Sequence, residues 1–411
     1  MLRDWLDLGR SRKALARGTL ANCLPYADLE ESERRALAGS AREMRFDEGL
    51  LELPPGHGER WYLARGRLQI QTRSGFVLGL AADTAQSRFP LPDAGLVETL
   101  YAAEPTTLLA VPMPPTAAPA KAPPAIRLTP AEASALAALR SYLAGRDCEL
   151  PTLPDLAFKI GRAIDDANNR NEDIAQLIQL DPALSTRLLS IVNSAAYGGL
   201  KKVTTVGKAT TRLGRRKLRN LVYSCLIKSA FKVNSGTLRR RMEALWQRSV
   251  HVAALSFVLG RETPGIDPEQ ALLAGLIHEA GAIAIVGAMA RFPALAAREE
   301  VIDHAVTLLR DDTALRLLRR WGLHTDFAGL VGETGKWQRV GSAIPELVDV
   351  VNVAILHARI GQPGARALPR LDRIPAWHKL ARNRLTPQRS LAFLEEAASD
   401  VQELRSLLGS R

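Results

Sequence analysis

Residue types suited to nucleophilic chemistry occur in this 411-residue chain without the neighbours that such chemistry needs. Ser194 and Ser224 lack the G-x-S-x-G context of an activated serine. Cys225 lies on an apolar stripe, so we expect it to be a core residue rather than a nucleophile. Residues Gly332 to Lys336 read G-E-T-G-K, which lacks the spacing of a G-x-x-x-x-G-K phosphate loop. Motifs alone therefore indicate neither a nucleophile nor a nucleotide loop.

A basic segment is the more conspicuous candidate. Between Lys201 and Arg241 there are thirteen lysines and arginines and no aspartate or glutamate, whereas the whole chain has a net charge of +12. The remainder of the chain is therefore close to neutral. Arg215, Arg216 and Lys217 stand where a helix is expected to begin, so they oppose its dipole and need an anion or an acidic neighbour.

The basic segment allows two interpretations. One pairs its cations with acids elsewhere in the fold, such as Asp165, Asp166, Glu172 and Asp173. The other makes it a docking face for a nucleotide, a nucleic acid or an acidic protein. On that second interpretation the anion- and partner-binding candidates are Lys201, Lys202, Arg212, Arg215, Arg216, Lys217 and Arg219. Aromatic residues are scarce in the segment, which weakens the case for single-stranded nucleic acid.

Composition bounds the protein class. A hydrophobic content of 46% is enough for large cores and for more than one domain. Cys23, Cys148 and Cys225 are far apart, which argues against a zinc cluster or disulfide framework and fits a reducing compartment. The first residues are too charged for a signal peptide, and the best apolar run, Ala282 to Ala290, is too short to cross a bilayer. We expect a soluble, cytoplasmic protein that makes no contact with a membrane and carries no cofactor.

The composition and hydrophobic pattern of the chain change along its length, which predicts an α+β multidomain protein. Glycines separate short apolar runs from Met44 onwards and predict short antiparallel strands in a β-roll with flanking helices, residues 1–111. Residues 112–130 are rich in proline and alanine and predict a linker. Residues 131–364 predict an all-α domain, and residues 365–411 a helical extension. That extension has an apolar stripe for packing within its own domain, with a homodimer seam as the alternative.

Two stretches of the β-roll carry a resemblance. Phe46 to Gly49 and Trp61 to Ile70 resemble the cyclic-nucleotide-binding domain. That family binds phosphate with a cassette similar to F-G-E followed by P-R-x-A, whereas this chain has Phe89-Pro90-Leu91. Backbone donors and a guanidinium are what a phosphate needs, and neither is visibly supplied. We expect a degenerate β-roll that has lost nucleotide binding.

The helical region resembles the bacterial HDOD domain, the output-type relative of the HD metal-dependent phosphohydrolases. The resemblance rests on short motifs that stand in the family's order over residues 149–362. They are Leu150-Pro151-Thr152-Leu153-Pro154, Asp181-Pro182-Ala183-Leu184, Asn193-Ser194-Ala195-Ala196-Tyr197-Gly198, Arg212-Leu213-Gly214, Leu245-Trp246 with His251, and Ala274-Gly275-Leu276-Ile277-His278-Glu279. Within this signature Asn193, Tyr197 and Gly198 are expected to fix a helix-to-turn geometry.

The same resemblance identifies a metal site that is incomplete. HD hydrolases hold metal with a first His, a His-Asp pair and a distant Asp, and His251 with the pair His278-Glu279 can stand for the first three. A lysine expected after the pair is replaced by Ala282. Histidines are expected around Arg310 and Glu333, and Ala354-Ile355 stands where the final Asp belongs. We expect His251, His278 and Glu279 to be a vestigial polar cluster, with no catalytic residue and no metal.

The resemblance to HDOD proteins implies a role in bacterial signal transduction, and with the incomplete metal site we expect a non-enzymatic protein whose HDOD domain binds a partner or ligand. Its partner is expected to be a protein of a signalling pathway, with an anionic ligand such as a nucleotide as a further option. One alternative is a metal-dependent phosphohydrolase acting on a nucleotide, centred on His251, His278 and Glu279. The other alternative is nucleic-acid binding through residues 201–241.

Overall fold

The structure is a computed structural model that describes residues 14–52, 58–73, 75–113, 126–197, 202–233, 236–360, 362, 368–380 and 397–409. Its contacts divide the chain into two compact units. The first unit consists of the described parts of Met1–Ala122, Gln338–Glu346 and Asp372–Arg384. The second unit consists of the described parts of Pro123–Trp337, Leu347–Leu371 and Leu385–Arg411. Most of the stretch expected to be a linker lies outside the described residues.

The first unit contains two antiparallel sheets, with strand orders β1-β7-β3 and β2-β6-β4-β5. The strands are β1 (Arg42–Phe46), β2 (Gly49–Leu50), β3 (Glu59–Arg65), β4 (Arg67–Thr72), β5 (Val77–Ala81), β6 (Val97–Ala102) and β7 (Thr106–Pro112). Two helices precede them, α1 at residues 14–22 and α2 (Glu31–Ser40). Side chains alternate between buried and exposed along β4, as expected for a strand with one face on a core.

The core of these sheets contains residues from a distant part of the chain. Trp61, Ile70 and Phe89 are buried together with Val340 and Ala343. The backbone N–H of Ala343 also donates to the carbonyl of Pro90, at 2.9 Å. The short helix α15 (Pro375–Leu380) belongs to the same unit. The predicted N-terminal β region is therefore present, and sequence patterning did not show that later segments complete it.

The second unit is helical, which confirms the predicted helical C-terminal region. Its helices are α3 (Pro130–Ala144), α4 (Asp155–Asp165), α5 (Asn171–Gln179), α6 (Pro182–Val192), α7 (Val206–Leu213), α8 (Arg215–Leu226), α9 (Gly236–Glu262), α10 (Pro268–Ile277), α11 (Ala280–Ala288), α12 (Glu299–Arg320), α13 (His324–Phe327), α14 (Leu347–Ala358) and α16 (Ala398–Gly409).

Helix starts in this unit follow local capping chemistry. The hydroxyl of Thr129 accepts from the backbone of Glu132, whose carboxylate accepts in return from Thr129, which is a capping box at the start of α3. Asp181 and Asp267 cap α6 and α10 with their side chains, each followed by a proline in the first turn. These starts were readable from the sequence because capping depends on few neighbouring residues.

Two helical stretches of this unit are interrupted. Helices α7 and α8 are separate because Gly214 between them has a φ of +78°. Helix α10 ends and α11 begins around His278 and Glu279. Pro268–Arg291 is apolar enough by composition to span a membrane, yet 83% of its most apolar window is buried inside the protein, as in a core helix.

Candidate functional site

The break between α10 and α11 presents two polar side chains beside α9. His278 is the C-cap of α10 and Glu279 the N-cap of α11, whereas His251 lies on α9. Helices α9 and α10 pack closely because of Gly275, where an added Cβ would lie 2.5 Å from the Cα of Ala253. Glycine at this position therefore lets α10 bring His278 against the helix that carries His251.

The His278 ring is fixed in one orientation. Its Nδ1 lies 2.7 Å from the carbonyl oxygen of Gly275, and because a carbonyl only accepts, Nδ1–H donates and Nε2 is left as the acceptor. Burial lowers the pKa of His278, although Glu279 and the Gly275 carbonyl oppose this. Burial and the Arg405 charge also lower the pKa of His251. Both rings are therefore neutral at pH 7.

Glu279 is already engaged by an arginine. The guanidinium of Arg248 donates from Nε to one carboxylate oxygen at 3.2 Å, and from Nη2 to both oxygens at 3.1 and 3.3 Å. Such a forked pair is the geometry in which guanidinium and carboxylate bind most specifically. The pair is partly exposed, and it sets both carboxylate oxygens against a positive charge.

These side chains line one cavity of about 650 Å³. Among the described residues, the charged side chains in its lining are four arginines and one glutamate, a formal charge of +3 with neutral histidines. The polar and charged lining residues are Gln247, Arg248, His251, His278, Glu279, Arg310, Thr334, Arg359, Gln362 and Arg405. Trp337 and Ile355 supply aromatic and apolar surface.

Two positions for which the resemblance to HD hydrolases predicts metal ligands lie around this cavity, and they carry other chemistry. Arg310 stands where a histidine is expected, and Ile355 follows Ala354 where the final aspartate belongs. Ala282 lines a small adjoining cavity of about 50 Å³ together with His278. Within the described part of the chain, no three His, Cys, Asp or Glu side chains are grouped to hold a metal ion. A hard divalent cation does not fit a donor set in which arginine replaces an imidazole.

Sequence reasoning missed the arginines that define the cavity. Arg248 precedes His251 by three positions on α9, a spacing that places both side chains on one helix face. This spacing was a signal in the sequence that Arg248 lies beside the cluster of His251, His278 and Glu279. Arg359 follows α14 and Arg405 lies on α16, and local sequence offers no signal for either. The positive charge of each arginine lowers the pKa of a cavity histidine: Arg359 acts on His278, and Arg405 acts on His251.

A buried asparagine shapes one rim of the cavity. The Asn352 side chain on α14 accepts from the backbone N–H of Gly335 at 2.8 Å and donates to the carbonyl of Glu333 at 3.3 Å. Arg310 lies over the same turn, with Nη2 at 3.5 Å from the Thr334 carbonyl oxygen. The G-E-T-G-K stretch is therefore a turn held by α14 at the edge of the cavity.

The expected fold-signature residues lie at the end of α6. Asn193 donates to the carbonyl of Val203 and accepts from its N–H, both at 2.7 Å, and so ties the chain after the turn to the helix end. The Tyr197 ring packs on Phe257 of α9 with a centroid separation of 5.0 Å. Gly198 lies outside the described residues. The tie made by Asn193 accounts for this residue type at a helix end.

The basic segment has partners inside its own fold. Arg215, at the start of α8, donates to Asn171 Oδ1 at 3.0 Å and to the backbone carbonyls of Asp166 and Asn169. Arg219 is only 18% exposed; it lies 3.2 Å from Asp326 and donates to the carbonyl of Gly322.

Other cations of the segment behave similarly. Lys217 lies 3.5 Å from the buried Glu269, and Arg216 donates to Gln270 at 3.1 Å. Arg212 also has a partner, and Lys202 is exposed. Lys201 lies outside the described residues. Their role as an anion- or partner-binding face stays a prediction.

Comparison with known proteins matches residues 150–334 to the HDOD domain. An uncharacterized protein of Treponema pallidum (strain Nichols) is 30% identical over 199 residues, which is 45% of this chain and 37% of that relative. The chain therefore spans little more than a third of the length of the curated relative it matches.

One solved structure is similar in fold, and a second matches with a lower score. A protein of Shewanella amazonensis SB2B whose name proposes a metal-dependent phosphohydrolase has a TM-score of 0.57 at 21% identity, over 68% of this chain and 100% of that one. An HDOD domain protein of unknown function from Geobacter sulfurreducens has a TM-score of 0.47 at 21% identity, over 68% and 98%. With the family match and the helical architecture together, residues 150–334 of this chain form an HDOD domain.

Proposed function

We propose that this chain is a non-enzymatic regulatory protein of bacterial signal transduction whose HDOD domain is an output module that binds a ligand or a protein partner. One observation supports the proposal, namely that four arginines line the cavity that contains His251, His278 and Glu279. Arg248 holds both oxygens of Glu279, and Arg310 stands at a position where HD hydrolases are expected to have an imidazole.

The chemistry of this lining opposes metal-assisted hydrolysis. A catalytic metal needs three protein ligands and an open position for the water that it activates. Here His251 and His278 are neutral imidazoles, but the nearest carboxylate is neutralised by a guanidinium. Further positive charge around the cavity raises the electrostatic cost of placing a dication there. The site is therefore better suited to binding than to turnover.

Metal analysis of the purified full chain tests this proposal against the phosphohydrolase alternative. We expect less than about 0.1 metal ion per chain after exposure to Mn²⁺ and desalting, and no hydrolysis of bis-p-nitrophenyl phosphate above the His278→Ala variant. Stoichiometric manganese, iron or zinc that is lost in His278→Ala, together with hydrolysis lost in the same variant, would establish the enzyme instead.

We also propose that the β-roll is a degenerate cyclic-nucleotide-binding-like domain. Its Phe89-Pro90-Leu91 segment has no spare backbone donors for a phosphate. Phe89 N–H donates to Gln86, Pro90 has no N–H, and Leu91 N–H donates to Trp61 at 2.7 Å. The Phe89 side chain is itself buried in the sheet core.

Titration of the full chain with cyclic AMP and cyclic GMP checks the β-roll proposal. We expect no saturable binding that survives substitution of the cavity residues Arg359 and Arg405 by glutamine. Binding of either nucleotide that is unchanged by those substitutions would indicate a working phosphate cassette in the β-roll and overturn the proposal.

A further inference from the structure

We propose that the arginine-lined cavity at the HD position binds a nucleoside phosphate directly, without a metal ion, through Arg310, Arg359 and Arg405. The inference rests on the proposed function, because it takes the cavity to be a binding site rather than a metal-dependent active site. It differs from the sequence expectation, which looked for an anion in the basic segment.

The charge of the lining is the first argument. Arg248 and Glu279 neutralise each other, which leaves Arg310, Arg359 and Arg405 around one cavity. Among the described residues, Arg310 forms an ion pair with the exposed Asp311 at 3.3 Å and a long hydrogen bond of 3.5 Å to the Thr334 carbonyl. Within the described residues, the side chains of Arg359 and Arg405 form no hydrogen bond or ion pair. Guanidinium groups gathered around a cavity repel one another, and a bound anion relieves that repulsion.

Guanidinium chemistry defines the anion. Each group presents a planar fork of N–H donors that matches two oxygens of a phosphate, and arginine keeps its charge at any physiological pH. Metal hydrolases recognise a phosphate through the cation that they hold. In this cavity the fixed positive charge of the arginines takes that role, because the donor set does not fit a metal.

The size and the remaining lining residues define the rest of the ligand. A volume of about 650 Å³ lies within the range of about 300–1,000 Å³ that is typical of small-molecule sites, and it exceeds what inorganic phosphate fills. Trp337 offers an aromatic surface for a planar ring. Gln247 and Gln362 each offer an amide donor and an acceptor, which suits the edge of a base. A phosphate joined to a planar heterocycle satisfies all three features.

Calorimetric titration of the metal-free full chain, in excess EDTA, tests the inference with three probes. They are ATP, inorganic pyrophosphate and adenosine. We expect saturable binding of ATP, weaker binding of pyrophosphate because the ring contacts are missing, and the weakest binding of adenosine because recognition begins with phosphate. ATP affinity is also expected to fall as salt is raised.

Matched variants localise the site. The double variant Arg359→Gln/Arg405→Gln is expected to weaken ATP binding at least about tenfold, since each substitution removes a charge-assisted contact. The control is Arg239→Gln/Arg240→Gln, which removes the same charge from exposed positions of α9 outside the cavity lining. We expect the control to change affinity by less than about twofold, as expected for a screened distant charge. Circular dichroism verifies folding, and the Arg405→Gln single variant replaces the double variant if the latter is unfolded.

The outcomes separate the two proposals. If folded, metal-free protein binds neither ATP nor pyrophosphate, or if both double variants lose affinity equally, the cavity inference is wrong while the non-enzymatic proposal stands. If the protein contains stoichiometric metal and binds ATP only with that metal, both proposals fail.

Discussion

Two parts of the helical unit are rich in positive charge, and they use it differently. In the basic segment Arg215 and Arg219 donate to carbonyl and carboxylate oxygens of neighbouring helices and loops. Around the HD cavity, Arg359 and Arg405 have no such acceptor among the described residues. Arg215 and Arg219 are thus held by acceptors of their own fold, whereas Arg359 and Arg405 are not held in this way within the described residues.

The comparison shows that charge density along a sequence does not measure available charge. Cations at the start of α8 need acceptors, and the fold supplies carbonyls from the turn after α4 and the carboxylate of Glu269. The cavity arginines lie on α9, on α12, just after α14 and on α16, so they are far apart in the sequence. Availability depends on tertiary partners, which charge counting cannot locate.

The largest expected difference between the two regions is in stability. We expect Arg219→Ala to lower the free energy of unfolding by about 2–3 kcal/mol, because it removes charged hydrogen bonds to Asp326 and Gly322 from a mostly buried side chain. Arg405→Ala is expected to change stability by less than about 0.5 kcal/mol, since its guanidinium forms no ion pair with any residue that the structure describes. Urea denaturation of both variants measures the contrast. Equal losses would remove the distinction between paired and available arginines.

An effect of similar size is expected from pH, through the carboxyl group that faces the basic segment. Burial raises the pKa of Glu269 from 4.5 to about 7, aided by hydrogen bonding to Asp267 and by its charge, and opposed by Lys217. The folded state therefore holds this proton more tightly than the unfolded state, so the stability gained below pH 4.5 is lost as pH rises towards 7. We expect this group to contribute a fall of about 2–3 kcal/mol over that window.

Denaturation of wild type and Glu269→Gln at several pH values isolates this contribution. Glutamine stays neutral, so the variant is expected to show a flatter dependence of stability on pH between 4.5 and 7. Parallel curves for the two proteins would show that Lys217 keeps Glu269 ionised in the fold, with no raised pKa.

The smallest expected effect concerns the ion pair between Arg248 and Glu279. Arg248 and Glu279 are 41% and 25% exposed, so solvent screens their attraction. A double-mutant cycle with Arg248→Ala and Glu279→Ala is expected to give a favourable coupling energy of about 0.5–1 kcal/mol. A coupling energy of zero would show that the pair does not stabilise the fold. Mn²⁺ affinity that is higher in Arg248→Ala than in wild type would show that Arg248 blocks a metal, and unchanged affinity would show that it does not.

Much of the fold was predictable from the sequence because it depends on short-range rules. The caps at Asp181 and Asp267 place helix starts, and turn residues divide the β region from the helical region. The break of the apolar helix at His278 and Glu279 was not foreseen. Its sequence is apolar on both sides, whereas α10 packs on α9 and α11 packs on α12, a difference in partners that local sequence does not show.

The candidate site was predictable only in part. Ordered motifs led to His251, His278 and Glu279, and the alignment also pointed to Arg310 and Ile355, all of which line one cavity. The resemblance to HD hydrolases predicts a histidine around Arg310, whereas the positive charge of Arg310 is the property that suits the cavity to an anion. Arg359 and Arg405 could not be found, because only the packing of α14 and α16 against α9 brings them to the cavity.

The central claim is that arginines replace the metal in recognising a phosphate at the HD position. The most direct test is the affinity of the full chain for inorganic pyrophosphate under two conditions. One measurement is made in excess EDTA, and the other with saturating Mn²⁺ at a matched concentration of free pyrophosphate. We predict dissociation constants that agree within about twofold, because guanidinium recognition needs no metal. Binding that appears only with Mn²⁺ would contradict the claim and support the alternative of a metal-dependent phosphohydrolase.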